Sequence, residues 1–178
     1  MPGYSWNGSA WKKVLRKTMW TGSAWKDIKS SHRWTGSAWE TIYSSFMSSG
    51  ITKNGSWVPT ANGAWLVVPA WTADSGSTVS GDGVQARGAK ANAVVSGQLS
   101  ITLSSGAYKV SVRLKVDGVV VKTITDYPLA GYVTTNVPIA SDPMAITTGQ
   151  VATIECWFAN YANSFTIQSG ANTYVRIT

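Results

Sequence analysis

The hexapeptide Trp6-Asn7-Gly8-Ser9-Ala10-Trp11 returns as Trp20-Thr21-Gly22-Ser23-Ala24-Trp25 and again as Trp34-Thr35-Gly36-Ser37-Ala38-Trp39, 14 residues later each time. Repetition at a fixed short period implies small units that must pack on one another, because none is large enough to bury its own apolar face. Fainter echoes follow at Asn54-Gly55-Ser56-Trp57 and Asn62-Gly63-Ala64-Trp65. Nine of the ten tryptophans lie at or before Trp71, so the indole-rich text belongs to the first part of the chain.

Asn-Gly favours a tight hairpin turn whose two central residues both take positive φ, and Thr-Gly is a weaker form of the same signal. Gly8, Gly22, Gly36 and Gly55 are therefore expected at turns. The stretch from Trp11 to Trp20 is long enough for a strand. An even period keeps equivalent residues on one face of it. Val14, Ile28 and Ile42 form one such set, and Ala10, Ala24 and Ala38 another. A helix would also align Trp11, Val14, Leu15 and Met19. The recurring Gly-Ser and the shortness of each apolar run favour β. Isolated hairpins are marginal in water. The repeats must therefore stack within the chain or close against other copies, burying Trp6, Trp11, Trp20, Trp25, Trp34 and Trp39 together. Little apolar bulk per repeat favours the second solution, a three-fold prism or shaft.

The charge is equally uneven. Residues 1–57 carry eight Lys and Arg against Asp27 and Glu40, whereas the remainder carries seven against six. Basic residues interleaved with aromatics can make a nucleic-acid surface. Here Lys12, Lys13, Arg16 and Lys17 crowd the first repeat while the third has Glu40, which is too uneven for tracking a backbone. A solvated face that blocks edge-to-edge pairing is the plainer reading. Nucleic acid is not expected as a partner. An acidic envelope polymer is a further candidate partner for this basic face.

Residues 58–80 read as a connector, with Pro59 and Pro69 around Ala64-Trp65-Leu66-Val67-Val68 and a loop at Asp74-Ser75-Gly76-Ser77-Thr78. Beyond it the text is all-β. Tyr108, Val110, Val112, Leu114 and Val116 alternate with Lys109, Ser111, Arg113 and Lys115, the pattern of a strand with one solvated face. Asp117-Gly118 is a hairpin turn leading into Val119–Ile124. Further strands are expected at Leu99–Leu103, Tyr132–Ile139, Ile154–Phe158, Phe165–Ile167 and Thr173–Ile177. Seven to nine short antiparallel strands make a β-sandwich or jelly roll. The expected organisation is a Trp-rich hairpin module over 1–57, a connector over 58–80 and a jelly-roll head over 81–178.

Chemistry is hard to find. One cysteine excludes an intrachain disulfide and a thiolate zinc cluster. One histidine, His32, excludes a histidine-rich metal site, and its repeat equivalents are Thr18 and Phe46. A serine nucleophile needs a base such as histidine, and Cys156 has no histidine in its own part of the chain. Asp82, Asp117 and Asp142 sit in turn-like sequence, and Glu155 is expected to face solvent or a neighbouring subunit. A calcium ion held by loop aspartates stays open. No apolar run reaches the ~18 residues of a spanning helix. The start lacks the basic and apolar regions of a signal peptide. No cofactor, catalytic residue or metal ligand is expected.

Repeats of the form Trp-Asn/Thr-Gly-Ser-Ala-Trp-Lys resemble those in small minor tail proteins of tailed phages that infect actinobacteria, over Trp6 to about Ile42. The runs Gly106-Ala107-Tyr108-Lys109-Val110-Ser111-Val112 and Gly170-Ala171-Asn172-Thr173-Tyr174-Val175-Arg176-Ile177 resemble the trimeric C1q/TNF-like jelly-roll heads of animal proteins and phage fibres. These resemblances imply a non-enzymatic virion structural protein made in the host cytoplasm. It would be a homotrimer that joins other phage structural proteins in the tail tip and meets a host receptor or cell-wall polysaccharide. They imply Tyr108 and Tyr174 at the trimer interface, and Ile177 as a core or interface residue. A capsid decoration protein and a carbohydrate-binding module are the alternatives.

Overall fold

The computed structural model describes residues 4–13, 18–28, 30–44 and 46–178. The chain divides into two compact units, Met1–Ser45 and Phe46–Thr178. The expected boundary at residue 57 therefore moves to the start of Phe46. The reason is local. Ser49–Lys53 is a strand of the second unit, and the Asn54-Gly55-Ser56-Trp57 echo belongs to that unit as well.

Among its described residues the first unit holds three two-stranded antiparallel sheets. They are β1 (Tyr4–Trp6) with β2 (Trp11–Lys13), β3 (Thr18–Trp20) with β4 (Trp25–Asp27), and β5 (Ser30–Trp34) with β6 (Trp39–Ser44). Each hairpin is centred on its Gly-Ser pair. The stretch from Trp11 to Trp20, expected as one strand, instead contributes β2 and β3 to different hairpins, with residues 14–17 outside the described part. Val14 and the side chain of Ile42 also lie outside it. Ala10, Ala24 and Ala38 are exposed turn residues, not one face of a strand.

The second unit is a sandwich of two six-stranded antiparallel sheets. One sheet runs β10 (Val79–Ser80), β11 (Gly83–Gln85), β18 (Val151–Trp157), β14 (Tyr108–Val116), β15 (Val119–Leu129), with β8 (Trp65–Val67) beside β18. The other runs β16 (Thr134–Ala140), β13 (Val95–Leu103), β20 (Gly170–Ile177), β7 (Ser49–Lys53), β9 (Trp71–Ala73), with β19 (Phe165–Ile167) beside β13. β12 (Lys90–Ala93) and β17 (Met144–Ile146) form a separate pair. From β13 onward the chain crosses to the opposite sheet for β14 and β15, returns for β16, crosses for β18 and returns for β20. That Greek-key path is a jelly roll. A single 3₁₀ turn, Ala162–Ser164, is the only helical element among the described residues.

Period-two alternation builds the core. Val95, Leu99, Ile101 and Leu103 point inward from β13, and Val110, Val112, Leu114 and Val116 from β14. Phe158 stacks on Phe165 at 4.1 Å. Asp117 and Gly118 both take positive φ and join β14 to β15 across Val116 and Val119, the two-residue turn that Asp-Gly predicts. Lys53, at the end of β7, is buried. Its ammonium donates to the carbonyls of Gly55 at 2.8 Å, Asn54 at 3.2 Å and Ala70 at 3.3 Å. Burial pulls its pKa below the usual lysine value, while the charge of Asp82 acts in the opposite sense. The three carbonyls are the groups that make this burial tolerable.

Gly97 lies where the two sheets approach closely. A Cβ there would stand 2.9 Å from Ile154 Cδ1 and 3.2 Å from the Tyr174 carbonyl oxygen. Gly97→Ala should overpack this spot and lower unfolding free energy by about 1–3 kcal/mol. Urea denaturation checks it, with an unchanged midpoint counting against this packing.

Candidate binding surface

Turn chemistry positions the repeat tryptophans. The backbone N–H of Asn7, Thr21 and Thr35 donates to the carbonyl of Ala10, Ala24 and Ala38, at 3.2, 3.0 and 2.9 Å. Only the glycine of each turn has positive φ, at 98° for Gly8, 90° for Gly22 and 98° for Gly36. This corrects the expectation of a two-residue turn with both central residues left-handed. The residue before glycine acts through its side chain instead. Asn7 Oδ1 accepts from the N–H of Ala10 at 2.9 Å and of Ser9 at 3.2 Å. Thr21 Oγ1 and Thr35 Oγ1 each donate to the alanine carbonyl at 3.0 Å, and Thr35 Oγ1 also accepts from the Ala38 N–H at 3.2 Å. A side-chain oxygen close to the backbone, two bonds from Cα in threonine and three in asparagine, is what the turn uses, which is why threonine can replace asparagine.

The closed turn places two tryptophans directly opposite each other: Trp6 and Trp11, Trp20 and Trp25, Trp34 and Trp39. Trp20 and Trp25 have ring centroids 5.7 Å apart, and Trp34 and Trp39 5.6 Å, both tilted by just over 50°. These are favourable aromatic separations. The indoles nevertheless stay in solvent. Trp6, Trp20, Trp25, Trp34 and Trp39 are 52–69% exposed. Met19 and Lys26, directly opposite each other, occupy the alternate face of the second hairpin. The side chain of Trp11 lies outside the described part. Gly55, at φ 70°, serves a turn of the jelly roll rather than a repeat hairpin.

The two outer faces of the sandwich differ in character. Cross-strand partners share a face. On the sheet centred on β20, one row is Thr72, Thr52, Tyr174, Gln98 and Pro138, and the next is Gly50, Arg176, Ser96 and Ala140. The charges here are Arg176 and Asp74, which face each other at 3.8 Å, and the Arg176 guanidinium lies 4.4 Å from the Tyr174 ring centre. The opposite sheet presents Lys109, Arg113, Lys115 and Glu155. Glu155, expected at the surface, is buried. Arg113 Nε and Lys115 Nζ both donate to its carboxylate, Lys115 at 3.0 Å. Arg113 also covers the Trp65 ring at 4.2 Å. Two cations on the neighbouring strand satisfy the carboxylate, so the solvated-face pattern read from alternation conceals a buried ion cluster.

The residues expected at a trimer interface are not gathered at one place. Tyr174 is half-buried on the outer face described above. Tyr108 belongs to the other sheet and packs edge-on against Phe165 at 5.5 Å. Ile177 is fully buried within its own chain. It is therefore a core residue with no surface for a partner. Cys156 is buried too, and burial pushes its thiol pKa up, away from a reactive thiolate. Among the described residues no group of three His, Cys, Asp or Glu side chains is close enough to hold a metal, and no helix is long and apolar enough to cross a membrane.

No protein-family model matches the chain, and no curated protein sequence does. The fold is similar to the solved structure of the Eiger TNF from S. frugiperda over 74% of this chain and 90% of that one, at 12% identity with a TM-score of 0.47. The strand order and crossovers themselves define the jelly roll.

Thr35→Val should loosen the third hairpin by removing both hydroxyl bonds, and Gly22→Ala should strain the second through its positive φ, each by about 1 kcal/mol. The exciton couplet of paired indoles in circular dichroism reports this. It should weaken in each variant while the unfolding of the jelly roll stays unchanged.

Proposed function

We propose that this chain is a non-enzymatic virion component of a tailed phage. It would be a homotrimeric minor tail or fibre-type protein acting in tail-tip assembly and attachment to the host surface. The observation that carries this reading is the display of Trp6, Trp20, Trp25, Trp34 and Trp39 by successive hairpins in a unit of their own. So much exposed indole in register is unusual on a surface that meets only water. It suits a surface completed by further copies of the chain or by a partner. The likeness of the repeats to those of actinobacterial phage minor tail proteins supplies the setting. Residues of the jelly roll add to it. The outer face around Tyr174 carries small uncharged side chains, one aromatic ring and one arginine–aspartate pair, a composition that fits the centre of an interface between copies.

Cell-wall polysaccharide is the attachment target that the exposed indoles favour, because ring faces stack on sugar C–H surfaces and leave hydroxyls in water. The uneven distribution of Lys and Arg among the repeats argues for a target met by stacking more than by phosphate pairing.

Light scattering on the full chain should give three times its 19.0 kDa mass. Tyr174→Glu, which sets an unpaired charge in the proposed interface, should shift the mass toward a single chain. A wild-type monomer would overturn the trimer. Replacing Trp25 and Trp39 together by alanine should weaken adsorption to actinobacterial cell walls by about tenfold or more, consistent with the loss of two stacking groups. Wild-type protein that ignores cell walls and binds purified phage heads would instead mark a capsid decoration protein.

A further inference from the structure

A second aromatic site lies on the jelly roll, at the Lys109 and Trp157 end of the sheet that carries Glu155. Ala107, Tyr108, Lys109, Asp126, Trp157 and Ala159 line a cavity of about 300 Å³, open to solvent. That is the lower end of the size range of ligand pockets and suits a single sugar ring.

Its walls are firmly held. Trp157 sits on β18 between Ser111 of β14 and Trp65 of β8. Tyr108 packs edge-on against the buried Phe165, and Tyr161 meets Tyr108 edge-on with ring centres 6.2 Å apart. The register of β14 and β15 shifts between Val110 and Val112, so that Thr125 and Asp126 together oppose Ser111. This bulge turns Asp126 toward the cavity. Asp126 takes a left-handed φ of 55°, and its N–H donates to Ser111 Oγ at 3.1 Å. Tyr161 has a left-handed φ of 54° and opens the 3₁₀ turn, where the Ala162 N–H donates to Asn62 Oδ1 at 2.8 Å. Two non-glycine residues in this costly region beside one cavity mean that the fold holds its rim against local preference.

The polar groups indicate the ligand. Lys109 Nζ and Asp126 Oδ2 face each other at 3.7 Å, both 64% exposed. An ion pair so exposed contributes little stability, so its members can turn to a ligand at small cost. The cavity then offers ammonium donors, a carboxylate acceptor and aromatic faces, with no surplus of either charge. A phosphate or uronate would meet Asp126 as a like charge. A neutral pyranose has an apolar C–H face for Trp157 or Tyr108 and hydroxyls that can both donate to a carboxylate and accept from an ammonium. We propose that this cavity is a binding site for one neutral pyranose unit. The inference is independent of the hairpin reading, since it uses none of the repeat residues.

The test is an NMR titration of the full chain with methyl glycosides of glucose, galactose, mannose and N-acetylglucosamine, following the Trp157 indole N–H, identified by its loss in Trp157→Phe. At least one glycoside should give a saturable shift. Asp126→Ala and Lys109→Ala, both at exposed side chains, should each weaken it by about tenfold, as loss of a hydrogen bond to a charged group implies. The Trp25→Ala, Trp39→Ala double variant should bind as wild type. No saturable shift with any of the four would overturn the proposal. So would affinity untouched by both cavity variants, or tighter binding of methyl glucuronide than of the neutral sugars. Binding lost only in the hairpin variant would assign the sugar to the repeats instead.

Discussion

Two sheets that each have one apolar face must cover each other, and the architecture of residues 46–178 follows from that constraint. β13 and β14 supply the pattern, with inward residues at every second position and Gly97 left bare where Ile154 and Leu114 of the facing sheet press closest. Burying these faces fixes register, since a one-residue slip would send the whole apolar set into water. Everything positioned on the outer faces depends on that register. Tyr174 stands outside because Val175 and Ile177 point in. Trp157 stands outside because Cys156 and Phe158 point in.

The hairpin unit obeys a different rule. Its described residues form three two-stranded sheets, and its described tryptophan rings remain in solvent. What organises each hairpin is local: a glycine in the left-handed region, a side-chain oxygen on the residue before it, and two tryptophans at opposed positions of the paired strands. Local turn chemistry can hold such a unit in shape, but it supplies little apolar burial, and two-stranded ribbons are marginal on that account. One chain thus joins a unit stabilised by its interior to a unit whose described tryptophans lie in solvent. The proposed role in attachment rests on this contrast.

Buried charge in the sandwich is handled with similar economy. Glu155 is satisfied by Arg113 and Lys115 from the neighbouring strand, and Lys53 by three backbone carbonyls. Removing Glu155 would leave Arg113 and Lys115 without their shared partner, and removing Lys53 would leave its three carbonyls without their donor. These groups also pin loops and strands whose sequence is otherwise permissive. Lys53 ties the turn at Asn54 and Gly55 to Ala70, a residue with left-handed φ.

The sequence by itself determined the class of the fold, the repeated hairpins and the Asp117-Gly118 turn, because period and turn chemistry are local properties. It also marked the tryptophans that the hairpins display. Only the tertiary structure decided the rest. Thr-Gly and Asn-Gly turns look alike in sequence, yet the side-chain oxygen, not a second left-handed residue, closes them. Glu155 alternates like a surface residue and is buried, because Arg113 and Lys115 arrive from another strand. Ile177 could be core or interface until the second sheet covered it. The cavity of Lys109, Asp126 and Trp157 had one visible sign, a tryptophan alone beyond Trp71. Its other members come from strands distant in sequence, and alternation along one strand carries no information about which neighbour lies beside it.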